Sequence, residues 1–213
     1  MISELAESLL LKDIKAILEH ARTQVKQTVN SAMVQAYWQI GRLIVEDEQQ
    51  GSQRAEYGKA VLQALSKQLS AEYGKGFDTR NLRNMRKFYQ SFPNWNAVRT
   101  ELSWTHYRAL IRIGNEQART WYMQEAQQQA WSARALERQM GTLYYERLLA
   151  SKEKTPVEQE AQEKTHALAD TNKNYLRDPY ILDFLNLQDK TYQESDRLEN
   201  AIKDNLAGIG YEV

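Results

Sequence analysis

Backbone breakers are scarce in this chain. Three prolines and nine glycines punctuate 213 residues, and apolar residues recur at helical spacing through the long stretches between them. Strand-like alternation is absent before the last few residues. The pattern specifies an all-α fold built from several helices. The first segment, about Glu4 to Gln50, carries apolar positions at Ile14, Leu18, Ala21, Val25, Val29, Ala32, Ala36, Ile40 and Leu43. This spacing outruns an ordinary globular helix. A break near Asn30-Ser31 would make it a helix pair, because those residues prefer caps to helix interiors. A dimerisation or docking helix and a long core helix both fit, and the spacing favours the core helix.

The stretch from Arg54 to Pro93 organises the rest. Tyr57, Val61, Leu65, Leu69 and Tyr73 form a stripe with a period of four. Gly74 and Gly76 then end the helix, and Phe77 anchors the turn. Asp78 is placed to cap a second helix, whose inward side carries Leu82, Met85, Tyr89 and Phe92. At 100° per residue, Arg80, Arg83 and Lys87 fall together on the opposite side, flanked by Asn84 and Arg86. Asn81 turns inward. Like charges at these spacings repel by a few tenths of a kcal/mol per pair, and an anionic partner removes that cost. A helix, a tight turn and a basic amphipathic helix make a candidate helix-turn-helix. The DNA-contacting residues expected from it are Lys75, Arg80, Arg83, Asn84, Arg86 and Lys87. The alternative is a solvated basic face on a protein-interaction or dimerisation module that touches no DNA.

Charge distribution favours the same stretch. The whole chain balances 28 basic against 28 acidic residues, but residues 54–90 are net +5 and residues 151–213 net −5. With no cysteine there is no disulfide framework and no thiolate metal site. No membrane span or secretory signal is visible. A cytoplasmic, bacterial-type protein is the expectation.

Further along, Phe92-Pro93 ends the second helix. Ser103 or Thr105 caps the next, with Tyr107, Leu110 and Ile111 inward. Another helix follows from about Glu116 to Gln129. Ser132 caps a last long helix whose apolar side is Leu136, Met140, Leu143, Tyr144 and Leu148. Residues 1–150 then form one helical domain, 151–174 a charged linker or solvated helix, and 175–213 the incomplete start of an α/β domain. His20, His106 and His166 lie far apart, and Ser103 with His106 lacks an orienting acid, so hydrolase chemistry is not indicated. Gly74-Lys75-Gly76 lacks the spacing of a phosphate loop. Glu46-Asp47-Glu48 reads as a solvated helix end, since adjacent carboxylates on a helix diverge.

Several long motifs, in order, resemble one family. They are VNSAMVQAYWQIGRLI (Val29 to Ile44), RAEYGKAVLQALSKQLSAEYGKGF through RNLRNMRKFYQSFP (Arg54 to Pro93), ELSWTHYRALI through WSARALERQMGTLYYERL (Glu101 to Leu148), and LRDPYILDFLNL. Together they look like the YhcG-type proteins, whose N-terminal DUF1016 domain precedes a PD-(D/E)xK nuclease domain. The resemblance implies a DNA-targeting region. It also implies that the catalytic hairpin follows the first helix of the nuclease domain, beyond Val213. On that basis the chain is expected to be no enzyme by itself, with no cofactor of its own. Mg2+ is expected only for an intact nuclease domain, in which Glu199 matches the family's first-helix glutamate. The expected partners are DNA and, through the N-terminal helix, a second copy; no membrane is expected. A second, architectural resemblance is to ParB-like domains, through Leu102-Ser103-x-x-His106-x-x-x-Leu110 and Ser132-x-Arg134-x-Leu136.

Overall fold

The computed structural model describes residues 2–50, 55–166, 168 and 179–184. All regular structure among them is helical: α1 (Ile2–Gln50), α2 (Ala55–Tyr73), a 3-10 turn (Lys75–Phe77), α3 (Thr79–Ser91), a 3-10 turn (Trp95–Ala97), α4 (Trp104–Leu110), α5 (Glu116–Gln128), α6 (Ala133–Gly141), α7 (Tyr144–Ala150), α8 (Thr155–His166) and α9 (Pro179–Phe184). The all-α expectation holds. The strand expected after Gly208 and the helix expected from Arg197 lie outside the described residues.

The first helix does not break at Asn30-Ser31 but runs through 49 residues. Asn30 is buried, and its amide nitrogen donates to the carbonyls of Thr100 (3.2 Å) and Leu102 (3.0 Å). Those partners lie across the fold, so the side chain does not compete with its own helix backbone for hydrogen bonds. From Val29 onward α1 is the spine of the core: Val29, Met33, Val34, Tyr37, Ile44 and Val45 are buried.

The helix α3 lies across that spine at a close crossing. A Cβ placed on Gly41 would stand 2.1 Å from the Met85 carbonyl oxygen, so only glycine allows the two backbones this near. Leu82, Met85 and Phe88 are fully buried at the crossing. Burial of side chains of this size contributes about 1.5–3 kcal/mol each. Phe88 makes a tilted contact with Tyr107 at 4.5 Å and an edge-on one with Trp104 at 5.5 Å, and Tyr37 meets Trp104 edge-on at 5.0 Å. This aromatic cluster joins α1, α3 and α4. Among the described side chains of α2 the buried one is Leu62 rather than a member of the Val61-Leu65-Leu69 stripe, and Tyr73 is exposed with its ring 6.0 Å from Phe77.

The helix expected to continue from Ser132 to Leu148 is instead two helices. Leu143 takes a left-handed conformation (φ 54°) and starts α7 in a new direction. Leu143 itself is exposed rather than inward. The charged segment after Ala150 forms α8, which packs on α6 and α7. Ala161 is buried there and its carbonyl accepts from the Gln139 amide (3.2 Å). The described part of DPYILDFLNL is α9: Ile181 is buried, and Phe184 packs edge-on against Tyr37 at 6.1 Å.

Candidate nucleic-acid interface

The turn before α3 is locked by a short chain of hydrogen bonds. Asp78 caps the helix, its carboxylate accepting from the Asn81 backbone N–H at 2.6 Å. The Asn81 side chain is buried; its amide donates to the Gly76 carbonyl (2.6 Å) and accepts from the Trp104 indole (3.0 Å). Asn81 therefore fixes the turn to α4 and faces inward. At the other end, the Trp38 indole donates to the Phe92 carbonyl (2.7 Å), tying the end of α3 to α1. Arg119 donates to the Ser91 carbonyl (3.2 Å) and lies over the Phe92 ring at 5.5 Å. Both ends of α3 are thus held, and its outer face is presented rigidly.

On that face Arg80, Arg83 and Lys87 are all exposed, and none makes an ion pair with a described residue. Gln90, one turn further, is exposed on the same side. Asn84 is half-buried at the edge. Arg86 has a partner: its Nη1 lies 2.7 Å from Glu48 Oε1 at the end of α1. Glu46 pairs with Arg42 within α1 (3.6 Å). The acidic run at the end of α1 is therefore divided between two arginines and does not converge. Lys75 begins the 3-10 turn before α3, but its side chain lies outside the described residues, as does Glu199.

Sequence reasoning missed part of the basic surface. Arg108 on α4 lies near Arg80 and near Arg112, which follows in the turn after α4 and pairs with Glu137 at 3.5 Å: burial holds the Arg108 guanidinium below its usual pKa, and the charges of Arg80 and Arg112 lower it further. Arg108 also lies under the Tyr180 ring of α9 at 4.8 Å. The sequence signal was weak, because α4 ends at Leu110 and leaves Arg112 in the following turn. Only the tertiary fold places Arg108 beside the start of α3.

The segment around His106 is structural. Its Nε2 donates to the Trp131 carbonyl (2.9 Å), which leaves Nδ1 to accept from the Ser103 N–H (3.1 Å) and hydroxyl (2.7 Å). Ser132 caps α6 through the Ala135 N–H (3.1 Å). The Leu102–Leu110 segment therefore meets the start of α6 where His106 bonds the Trp131 carbonyl, directly before Ser132.

The family model described as the DUF1016 N-terminal domain matches residues 13–147. The chain belongs to the DUF1016 N-terminal domain family. It is 35% identical over 230 residues to the Escherichia coli (strain K12) protein named "Putative nuclease YhcG", covering 92% of this chain. The chain spans 60% of that relative's length. No solved structure matches. The match to a protein named as a nuclease corrects the expectation that this chain is no enzyme. A relative named "Putative nuclease YhcG" matches 92% of this chain. The family match and this relative together make the chain a nuclease-related protein. Among its described helices, none is long and apolar enough to cross a membrane.

Proposed function

We propose that the DUF1016 domain is the DNA-binding region of a nuclease, and that α3 is its reading helix. One observation carries the reading: α3 buries Leu82, Met85 and Phe88 on one side and presents Arg80, Arg83 and Lys87, exposed and without acidic partners among the described residues, on the other. The helix α2, the turn and α3 act as a helix-turn-helix. Arginines on α3 grip phosphate or the guanine edge in pairs of hydrogen bonds, and Gln90 is placed for an adenine edge. Arg108 extends the cationic surface onto α4, and Arg112 in the turn beyond it takes up a neighbouring phosphate only by leaving its pair with Glu137 (3.5 Å). Asn84 contributes at the rim, Lys75 is the contact proposed from the turn before α3, and Arg86 joins only when released from Glu48. The test is a titration against linear and branched duplex at two salt concentrations. Counterion release gives log affinity a slope of about −0.9 per neutralised phosphate against log salt. Salt-independent binding, or none, refutes the reading.

A second reading concerns α1. Leu11, Ile14, Leu18 and Val25 are exposed, and with Ala21 they follow alternating three- and four-residue steps. That is the seam of a two-stranded coiled coil, in which identical seams interlock. A second copy is the occupant proposed for it. The mass in solution, compared with that of an Ile14→Lys, Leu18→Lys variant, tests this. A wild-type monomer at high concentration refutes it.

A further inference from the structure

A second concave site lies apart from α3. A cavity of about 740 Å3 opens between α5, α7, α8 and the turn at residues 129–132. Small-molecule sites span about 300–1,000 Å3. Its walls are aromatic: Trp121, Trp131, Tyr144 and Tyr145 line it. The Trp121 ring lies 5.4 Å from Tyr144 and 5.3 Å from Tyr145, and Trp131 lies 6.1 Å from Tyr144. Two carboxylates also line it, Glu125 from α5 and Glu158 from α8. Neither is in an ion pair or hydrogen bond with a described residue. Lys154 lines the cavity as well but pairs with neither acid. Burial pushes the Glu125 carboxyl above its usual range, and the charge of Glu158 pushes it further.

The backbone around the cavity is strained. Ala130 (φ 47°) and Leu143 (φ 54°) are the non-glycine residues at positive φ among those described. Ala130 lines the cavity, and Leu143 directly precedes Tyr144. Each left-handed non-glycine residue costs about 1–2 kcal/mol, and such strain concentrates at ligand sites.

We propose that this cavity binds an organic cation, an alkylammonium or guanidinium group, against the indole and phenol rings of its wall, with Glu125 and Glu158 as its counter-charges. The faces of Trp and Tyr rings carry negative potential and attract a cation within about 6 Å of the ring centre. The two unpaired carboxylates disfavour an anion. A hard divalent metal wants about six or more oxygen ligands, which ring faces do not supply. The cation arrives either as a small molecule or as an arginine or lysine side chain of another protein.

The test follows tryptophan emission of the full chain, at fixed ionic strength, with three probes: choline, its neutral isostere 3,3-dimethylbutan-1-ol, and N-acetylarginine methylamide. Saturation by choline or by the arginine derivative, with the neutral isostere about tenfold weaker or more, supports the site. Whichever cation binds more tightly assigns the source. Glu125→Gln is expected to weaken the cation about tenfold while leaving the melting temperature near wild type. Glu158→Gln, on the more exposed α8 side, gives the same readout should Glu125→Gln fail to fold. No saturation by either cation in the millimolar range, equal binding of the neutral isostere, or unchanged affinity in the foldable glutamine variants overturns the proposal.

Discussion

Glu48 at the end of α1 holds Arg86 of α3 by an ion pair of 2.7 Å, although the two are 38 positions apart in sequence. The pair is about a quarter to a third exposed, so its contribution to stability is modest, about 0.5–1 kcal/mol. Its greater effect is on charge, because it withdraws one arginine from the outer surface. Glu48→Gln is expected to free Arg86 and to tighten DNA binding with a steeper salt dependence. Arg86→Ala is expected to lower stability slightly while leaving DNA affinity near wild type. An Arg86→Ala variant that loses DNA binding but melts normally would show that Arg86 contacts DNA directly.

The crossing of α1 and α3 depends on Gly41. An added Cβ would meet the Met85 carbonyl at 2.1 Å and the Tyr89 Cβ at 3.2 Å. Gly41→Ala is expected to cost about 1–3 kcal/mol, the usual range for overpacking, and to displace α3. Thermal melts are expected to show a drop of about 2–4 °C per kcal/mol for a chain of this size, with DNA affinity falling as well.

Asn81 joins the turn before α3 to the Trp104 indole. Asn81→Ala leaves a buried carbonyl and a buried indole N–H without their partner, a penalty of about 1–3 kcal/mol. Urea unfolding is the measurement, and a change smaller than about 0.5 kcal/mol would contradict the assigned role.

How much of this was readable from the sequence depends on the range of the interaction. The two faces of α3, the Asp78 cap and the inward turn of Asn81 follow from a 3.6-residue period and local hydrogen-bond chemistry, and all were legible. The unbroken α1 was not, because the Asn30 amide nitrogen donates to carbonyls of Thr100 and Leu102 that sequence proximity cannot supply. Nor was the division of α6 from α7, since the apolar spacing continues through Leu143 while the backbone changes hand there. The Glu48–Arg86 pair and the approach of Arg108 to Arg80 belong to tertiary structure alone, and they redraw the edges of the basic surface.

Acid sensitivity is expected where α7 meets α8. Hydrogen bonds from Lys164 and Arg147 hold the Glu160 carboxyl down at about 2, against an ordinary value of 4.5. A depressed carboxylate contributes stability that is present above its unfolded pKa and is lost as pH falls through the folded one. Glu160→Gln is therefore expected to be less stable than wild type at about pH 6, with the gap closing toward about pH 2. A gap that stays constant across that range in urea melts would contradict the linkage.

The strained Ala130 gives an independent check on the backbone. Its N–H donates to Gln127 and the next N–H reaches the Ala126 carbonyl (2.9 Å), the arrangement that usually carries glycine at a helix C-terminus. Ala130→Gly is expected to stabilise the fold by up to about 1 kcal/mol, relief of strain exceeding the added chain entropy. A lowered melting temperature would contradict the assigned conformation.

Removing the basic outer face of α3 is expected to remove DNA binding. Affinity for fluorescent duplex and branched DNA is measured by anisotropy for wild type and for Arg80→Ala, Arg83→Ala, Lys87→Ala combined, with thermal melts alongside. The three side chains are exposed and unpaired among the described residues, so the melting temperature is expected to change little. Affinity is expected to fall at least about a hundredfold, with the salt slope reduced by about 3. A triple variant that binds DNA as tightly as wild type, with the same salt dependence, would contradict the assignment of α3 as the DNA-contacting helix.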